Sequence, residues 1–444
     1  MTTLFITSFN PFIGRNILST DVLKILSERS GLRIVILVPA HKTHYFLEHY
    51  SGPNVFVEGL APERYSRRDV VFTYLGSSLV YSRTLAIHKR EGFRKDKNLF
   101  KFLFSFGLRK LLGKSKLFKK AIRALDLKLT STGQTKAFFN QYSPQLVFST
   151  DVFNNEDVQF LAEAKRRGIF TIGMIRSWDN ITSKGVFRVK PDKLIVHNET
   201  IKEEAVQHNV MRARDVFTSG LPQYDSYLKG ERMPRREFFA RLKLDPEKKL
   251  ILFSPFGDRF FKYDWQIMEI LKELGVQVLA RLPPHDSVDL SQFESTPLFY
   301  IDRPGHQFRD NYFRDTELNE KDLMWLADCL YHSDLVVTGG ATIAVDAALF
   351  DKPSVLIYFD GFLNNLPYLK SARRWLDFDH GRQVWQSGGV RISRSKEELL
   401  QASRAYLENP ALDSEKRKAM VLKQVSKLDG NSGRRIAEFI LSFL

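Results

Sequence analysis

Short runs of apolar, β-branched residues alternate along this chain with longer segments whose apolar residues recur at helical spacing. In the first half, the predicted strands are 4–8, 34–38, 55–57, 146–150, 170–175, 194–196 and 216–219. Helical patterns fill most of the intervals between them, as parallel strands require, because each crossover needs about a dozen residues or more. The alternation therefore predicts an α/β domain with a parallel sheet.

A second series of strands begins after a charged stretch with two prolines, Pro234 and Pro246, and no long apolar run. Its predicted strands are 250–254, 276–281, 299–302, 335–337 and 354–359. The polar stretch 305–317 predicts a loop, and 395–407, 414–428 and 436–443 predict closing helices. We therefore expect an N-terminal α/β domain over 1–228, a linker over 229–249 and a C-terminal α/β domain over 250–444.

The stretch 334–359 has the pattern of one βαβ unit built around a glycine turn. A buried strand ends at Thr338, Gly339-Gly340 follows, an alanine-rich helix comes next, and Lys352-Pro353 stops it before the second strand. The turn leaves backbone N–H groups unpaired at a helix N-terminus, where the helix dipole favours an anion such as a diphosphate. A tight turn in a buried sheet without any ligand explains the same pattern.

Polar residues follow two predicted strands of the first domain. Asp151 ends the strand 146–150, and the strand 170–175 runs into the polar loop 176–185, which contains Asp179. In α/β domains, ligands bind at the carboxyl ends of parallel strands. Asp151 and Asp179 are therefore candidate site residues, although each is equally explained as a cap or turn residue.

The composition is that of a globular protein with a large core. The 444 residues, 51.5 kDa, exceed one ordinary domain, so two or three domains are expected. The single cysteine, Cys329, excludes disulfides and cysteine-based metal sites and favours a reducing compartment. The chain shows neither a signal-peptide pattern nor a long uncharged apolar run, which indicates a cytoplasmic protein.

The charge of the chain is unusual, with a net +16 and a pI near 9.6. Much of it lies in residues 83–129, where lysines and arginines interleave with phenylalanines and leucines and acids are nearly absent. A basic helix with such an apolar face is typical of the membrane interface and is attracted to anionic lipid. An ordinary amphipathic helical hairpin packed on the sheet is the alternative. No nucleic-acid recognition motif accompanies the charge, which disfavours nucleic acid as a partner.

Together these features resemble the GT-B glycosyltransferases, whose fold consists of two Rossmann-like domains facing a cleft. The resemblance rests on Thr338–Thr342 with Asp346-Ala347 and Lys352-Pro353, on the RLPPHD loop at 281–286, and on the closing Asp429-Gly430 with Ser432 and Arg435. The last two are similar to the CDP-glycerol glycerophosphotransferase-like and surface-polysaccharide transferase branches. The order of Pro284 and His285 is the reverse of that pattern, and glycines and Thr342 replace its serine pair. A UDP-sugar therefore remains as plausible a donor as a cytidine nucleotide.

The resemblance implies a role for each matching residue of the second domain. Gly339, Gly340, Ala341 and Thr342 would hold the donor phosphates, and Asp346 would bind the ribose hydroxyls. His285 would contact a donor phosphate or the leaving group. Helix N–H groups and cationic side chains stabilise the negative charge that a departing nucleotide diphosphate develops. The further cations expected at the donor are Arg259 and Arg281.

The acceptor hydroxyl requires a general base, which in GT-B enzymes is implied to come from the first domain. Asp179 and Asp151 are the candidates, with Asp179 ranked slightly ahead because its loop is rich in side chains that bind sugars and phosphates. Those side chains are Trp178, Asn180, Thr182 and Lys184. No DxD-like pair follows a strand, so neither a metal nor a cofactor is expected beyond the nucleotide-activated donor.

The sequence thus predicts a metal-independent glycosyltransferase or polyol-phosphate transferase. It would move a group from a nucleotide-activated donor to a cell-surface glycan or a lipid-linked acceptor. Residues 83–129 would dock it peripherally on the cytoplasmic face of the inner membrane. The alternatives are a UDP-sugar 2-epimerase of the same fold and a non-catalytic basic protein that binds membranes or nucleic acid.

Overall fold

The computed structural model describes residues 1–61, 65–309 and 315–444. The chain divides into two compact units. The first comprises Met1–Asp225 and Ser426–Leu444, and the second comprises Ser226–Val425. Each unit is built on its own parallel sheet.

The first unit contains a seven-stranded parallel sheet in the order β3-β2-β1-β4-β5-β6-β7. Its strands are β1 Thr2–Thr7, β2 Leu32–Pro39, β3 Val55–Leu60, β4 Leu146–Ser149, β5 Phe170–Met174, β6 Lys193–Val196 and β7 Val216–Thr218. The central strands β1 and β4 are almost entirely buried, as expected when helices cover both faces of a parallel sheet. All seven predicted strands are present.

Ten α-helices lie between Asp21 and Asn209 in the described part of the first unit. They are α1 Asp21–Ser27, α2 Thr43–Tyr50, α3 Arg67–Ser78, α4 Arg83–Asp96, α5 Leu99–Leu112, α6 Lys116–Leu129, α7 Thr135–Tyr142, α8 Asn155–Arg166, α9 Asn180–Lys184 and α10 Glu199–Asn209. The basic segment 83–129 forms three helices, α4 to α6, and not a two-helix hairpin. Lys97 adopts a left-handed conformation after α4, and the Asn98 side chain then caps α5, so the chain reverses direction there.

The second unit contains a six-stranded parallel sheet in the order β10-β9-β8-β13-β14-β15. Its strands are β8 Leu250–Ser254, β9 Gln277–Arg281, β10 Phe299–Asp302, β13 Leu335–Thr338, β14 Ser354–Ile357 and β15 Arg391–Ser393. The strand β15 was not predicted, because three residues beginning with an arginine carry no readable periodicity. Within the predicted loop 305–317, β11 His306–Gln307 pairs with β12 Thr316–Glu317, and residues 310–314 lie outside the described residues.

The remaining helices follow the expected alternation. They are α11 Asp225–Lys229, α12 Arg235–Leu242, α13 Asp264–Lys272, α14 Glu320–His332, α15 Ala341–Ala348, α16 Arg373–Leu376, α17 Asp379–Trp385, α18 Lys396–Glu408, α19 Ser414–Val425 and α20 Ser432–Leu441. Two parallel sheets with their crossover helices confirm the predicted fold class of two Rossmann-like α/β domains. None of the helices that the structure describes is long and apolar enough to span a bilayer.

The last helix belongs to the first unit, which differs from the domain range 250–444 expected from the sequence. The Asp225 carboxylate accepts hydrogen bonds from the N–H groups of Ser432 and Gly433, at 3.0 and 2.7 Å, at the start of α20. Phe439 then stacks on Phe217 with ring centroids 4.3 Å apart. The apolar periodicity of this helix identified its buried face, but periodicity carries no information about which sheet covers that face.

Candidate functional site

The glycine turn of the second unit connects β13 to α15. The Thr338 hydroxyl accepts a hydrogen bond from the Gly340 N–H at 2.9 Å, which folds the backbone tightly after the strand. Gly340 occupies the N-cap of α15 and brings no side chain that could accept from the first-turn N–H groups. Gly340 and Thr342 are exposed, whereas Gly339 and Ala341 are buried. The turn thus presents helix N–H groups at the surface of the unit, in the arrangement that suits an anion.

The loop after β8 packs directly against this turn. A β-carbon built on Gly339 would lie 2.1 Å from the Phe256 ring, so only glycine fits there. The Phe256 and Gly257 N–H groups donate to the buried Asp264 carboxylate at 3.0 and 2.8 Å. Burial, with the nearby charges of Asp258 and Asp286 adding to it, raises the pKa of Asp264 to about 7. Asp264 therefore fixes the backbone of the loop that contacts the glycine turn.

The loops that follow β8 and β9 are joined by Asp286. Its carboxylate accepts from the Arg259 N–H at 3.2 Å, and the Arg259 guanidinium Nε lies 3.9 Å from it. Burial raises the pKa of Asp286, although Arg259 opposes that rise. His285 precedes it in the same loop and is half-buried. Since β9, β8 and β13 are neighbours in the sheet, the structure brings Arg259, His285 and the glycine turn to the same edge of the second unit.

Two other predicted donor residues are less accessible. Arg281 is buried at the end of β9 and forms an ion pair with Asp302, which also accepts from the Trp325 indole at 3.2 Å. Asp346 lies on the buried face of α15. The guanidinium of Arg281 is thus already paired with Asp302 at the end of the sheet. The proposed contacts of Arg281 and Asp346 with a nucleotide stay predictions.

In the first unit, Asp151 is the centre of a buried ion cluster. Its carboxylate lies 3.0 Å from the Arg176 Nε and 3.5 Å from the Lys184 Nζ, and it accepts from the Phe153 N–H at 3.1 Å. Burial alone raises the pKa of Asp151, but Lys184 and Arg176 outweigh it and leave that pKa lowered. A carboxylate held in this way is a weak proton acceptor. The position of Asp151 as a general base therefore has less physical support than its sequence context gave it.

Asp179 stands just before α9, inside the predicted acceptor loop. Its carboxylate accepts from the hydroxyls of Ser177 and Ser183 at 2.6 and 2.9 Å. Asn180 is buried and accepts from the Ser177 N–H, and the Thr182 hydroxyl donates to the Asp179 carbonyl. These contacts stabilise the loop internally. The roles proposed for Asp179, Asn180, Thr182 and Trp178 toward an acceptor stay predictions.

Two buried titratable residues near these strand ends were missed by the sequence analysis. His197 follows β6, and its Nδ1 has no hydrogen-bond partner among the residues that the structure describes. Burial and the nearby Arg176 lower the pKa of His197 to about 3, so its ring is neutral. His197 and Arg176 line a cavity of about 10 Å³ together with Thr150. The position of His197 directly after a predicted strand is the sequence feature that could have identified this residue.

Asp157 is the second of these residues and lies at the start of α8. Its carboxylate accepts from the hydroxyls of Thr7 and Ser149. Burial, with the charge of Asp151 adding to it, raises the pKa of Asp157 to about 7. In the sequence, Asp157 follows an asparagine and a glutamate at the start of a helix, which is the ordinary place for an acid that interacts with the helix dipole. Only the sheet that covers it makes Asp157 unusual.

Solved structures of several enzymes match the whole chain. The UDP-GlcNAc 2-epimerase from Neisseria meningitidis, bound to UDP-GlcNAc, matches with a TM-score of 0.57 at 11% identity over 100% of both chains. A glycotransferase of kitacinnamycin matches with a TM-score of 0.55 at 12% identity, over 100% of this chain and 99% of the other. The wall teichoic acid polymerase TagF matches with a TM-score of 0.50 at 14% identity, over 99% of this chain and 88% of the other.

These likenesses concern the fold, because the sequence identities are low. No protein-family model matches the chain, and no curated protein matches it in sequence. The three structural neighbours are GT-B fold proteins and share the two Rossmann-like domains found here. The resemblance predicted from the glycine turn, the loop 281–286 and the closing stretch 429–435 is therefore confirmed at the level of the fold: this chain has the GT-B fold.

Proposed function

We propose that this chain is a glycosyltransferase-type enzyme that binds a nucleotide-activated donor at the glycine turn of its second unit. The observation that carries the proposal is the exposed N-terminus of α15, reached by a cationic loop that contains Arg259. A nucleoside diphosphate places negative charge where the N–H groups and the guanidinium can stabilise it, and that charge grows as the nucleotide leaves. Structural neighbours that bind UDP-GlcNAc support this class of donor.

The chemistry requires only a few groups from the chain. The N–H groups after Gly340 would bind a diphosphate, Arg259 would neutralise it, and Asp264 would keep the Phe256–Gly257 backbone in place beneath the turn. An acceptor hydroxyl would then displace the nucleotide after a carboxylate takes its proton. Asp179 is the proposed base, since Asp151 is held by two cations. The acceptor proposed from the sequence is a cell-surface glycan or a lipid-linked acceptor.

A binding experiment tests the donor assignment directly. The full-length protein is titrated with UDP, GDP, CDP and CMP in a calorimeter, and one of them should bind at micromolar to millimolar concentration and raise the melting temperature. Arg259→Gln should weaken that binding by about tenfold, because it removes one charge-assisted contact. Arg236→Gln, at an exposed position of α12, is the matched control and should bind as the wild type does. Equal affinities of the two variants would remove Arg259 from the site.

A UDP-sugar 2-epimerase is the second candidate, favoured by the number of such enzymes among the structural neighbours. Inversion at C2 of a sugar requires that its C–H bond be broken and remade, so the product formed in deuterium oxide carries deuterium at C2. The wild-type protein is incubated with UDP-GlcNAc in deuterium oxide without an acceptor and followed by proton NMR. Loss of the C2 proton signal would establish the epimerase. Hydrolysis of UDP-GlcNAc that leaves the C2 proton intact would support the glycosyltransferase.

A further inference from the structure

The helix α5 has apolar residues on two faces, of which only one is covered by the protein. On the inner face, Phe102 packs on Phe93 with ring centroids 5.2 Å apart, and the Ser105 hydroxyl donates to that of Ser78 at 2.9 Å. Leu108 and Leu112 pack against a core cluster that contains Leu79 and Leu85. The inner face thus holds α5 on the first unit as any amphipathic helix is held.

The outer face of α5 is apolar as well, and it is exposed. Its side chains recur at helical spacing and are 46–80% exposed: Phe100, Leu103, Phe104 and Leu111. The rings of Phe100 and Phe104 lie side by side, with centroids 6.2 Å apart. An exposed stripe of large apolar side chains on one helix is a mark of an interaction surface.

The charge around this stripe is almost entirely positive. Asp96 is the only acid between residues 93 and 123, and it pairs with Lys101 at 2.8 Å. The exposed cations near the stripe are Arg94, Lys95, Lys97, Lys110, Lys114, Lys116 and Lys120. Aliphatic residues such as Leu103 and Leu111 cannot stack on nucleotide bases, whereas they enter hydrocarbon readily. The combination therefore fits an anionic lipid surface better than a nucleic acid.

A pocket opens beside the stripe among α3, α4 and α5. It has a volume of about 290 Å³ and is lined by Tyr74, Lys89, Lys101, Phe93 and Ser183, among others. The Lys89 and Lys101 ammonium groups lie 3.7 and 5.5 Å from the centre of the Tyr74 ring. Burial, together with repulsion from Lys101 and Arg109, lowers the pKa of Lys89 to about 8. The half-buried Lys89 and the exposed Lys101 thus converge on this pocket, which Asp96 also lines through its pair with Lys101, and a bound anion would relieve the repulsion on the Lys89 ammonium group.

We propose that this surface docks on a membrane, with the outer face of α5 in the interface and the pocket holding the phosphate of an anionic lipid head group. The stripe supplies apolar contact with the acyl region, and the exposed lysines attract the negatively charged surface. Lys89 contacts the phosphate where it is half-buried and where less water competes than at the exposed lysines, and the exposed Lys101 contacts the phosphate from the same pocket. The proposal does not depend on the transfer reaction.

Vesicle sedimentation with the full-length protein tests the docking. Vesicles contain phosphatidylcholine alone, or with phosphatidylglycerol, or with phosphatidic acid at equal surface charge. Binding should require the anionic lipids, and Phe100→Ser combined with Phe104→Ser should weaken it about tenfold or more. The matched control is Leu47→Ser combined with Phe56→Ser, which are also exposed in the first unit, at 43% and 42%. Equal binding by the two double variants would overturn the docking.

The pocket is tested separately by comparing lipids and lysines. Phosphatidic acid has the smaller head group and should bind more tightly than phosphatidylglycerol, and Lys89→Met or Lys101→Ala should remove that preference. Lys114→Met, outside the pocket, should weaken both lipids equally. Identical effects of the pocket and control lysines would overturn the pocket assignment. Full competition by inorganic phosphate at the lipid concentration would assign the pocket to free phosphate instead.

Three further measurements keep the result unambiguous. Circular dichroism melts identify any variant that fails to fold, and Lys101→Ala, at an exposed side chain, provides the pocket test if Lys89→Met does not fold. Light scattering and binding of a short single-stranded RNA are measured on the same variants. If the phenylalanine variant changes the oligomeric state or RNA binding while vesicle binding is unchanged, the stripe contacts another copy or nucleic acid, and the proposal is wrong.

Discussion

The ring of Phe256 lies so close to Gly339 that a β-carbon on residue 339 would stand 2.1 Å from it. This contact joins the loop after β8 to the turn after β13, and the buried Asp264 carboxylate holds the same loop through two backbone N–H groups. The proposed donor site therefore depends on three features that pack together: the Gly339 turn, the Phe256 ring and the Asp264 carboxylate.

Gly339→Ala should destabilise the second unit, and Gly340→Ala should not. The added methyl group at 339 meets the Phe256 ring, and overpacking of this kind costs about 1–3 kcal/mol. At 340 the nearest atom to an added β-carbon is the Thr338 hydroxyl at 3.7 Å, and the backbone φ of −104° suits alanine. Thermal melts of both variants measure the difference. Equal melting temperatures would show that the Phe256 ring moves aside without cost.

Asp264→Asn should change how stability depends on pH. Because burial raises the pKa of Asp264 to about 7, the folded protein keeps a proton that the unfolded chain releases near pH 4. The stability that Asp264 contributes is therefore complete below about pH 4 and is lost as the pH rises through about 7. The difference in unfolding free energy between the wild type and Asp264→Asn, measured by urea unfolding, should fall from about pH 4 to about pH 7. A difference that stays constant over this range would contradict a raised pKa of Asp264 in the folded protein.

Asp151→Asn should destabilise the first unit strongly. The change leaves the Arg176 guanidinium and the Lys184 ammonium without the carboxylate that compensates them, and loss of one partner from a buried ion cluster costs about 3 kcal/mol. Glu415→Gln breaks an exposed pair with Lys418 and serves as the control, with no measurable effect expected. The melting temperatures of both variants are measured, and only that of Asp151→Asn should fall. If Asp151→Asn abolishes transfer without any loss of stability, Asp151 acts as a base and the structural interpretation fails.

Phe439→Ala should loosen the last helix from the first unit. Phe439 stacks on Phe217 with centroids 4.3 Å apart and meets Phe443 at 5.2 Å, and the loss of such a ring costs about 2 kcal/mol. Phe362→Ala, at an exposed ring of the second unit, is the control. Limited proteolysis should cut α20 faster in Phe439→Ala than in the control. Equal cleavage rates would mean that the Phe439 ring does not hold the helix on the first unit.

The sequence was sufficient for most of the sheet strands because buried parallel strands are nearly continuous apolar runs. The run 250–254 became β8 with the same ends, and the run 335–337 became β13, which ends one residue later. Arg391–Ser393 was not found, since three residues are too few to show a period. The glycine turn was predictable for a related reason: two adjacent glycines between a strand and a helix indicate a backbone that a side chain would obstruct.

The candidate site was less predictable, because what a polar residue does depends on what surrounds it. Asp151 was predicted as a candidate general base and Arg281 as a donor-binding cation, yet each is held in an ion pair that no local pattern reveals. Asp264 and His197, by contrast, have unremarkable sequence contexts, and burial together with neighbouring charges shifts their pKa values. Residues distant in the chain make these environments.

The sequence by itself determined the order of strands and helices, the two α/β series, the glycine turn and the basic apolar segment, since all of these are local patterns of polarity and backbone freedom. The tertiary structure alone decided which unit holds α20, that Phe256 requires glycine at 339, which carboxylates are neutralised, and that α5 leaves an apolar face exposed. Each of these depends on contacts between residues far apart in the chain. Periodicity along the chain describes one side of such a contact and cannot identify the other.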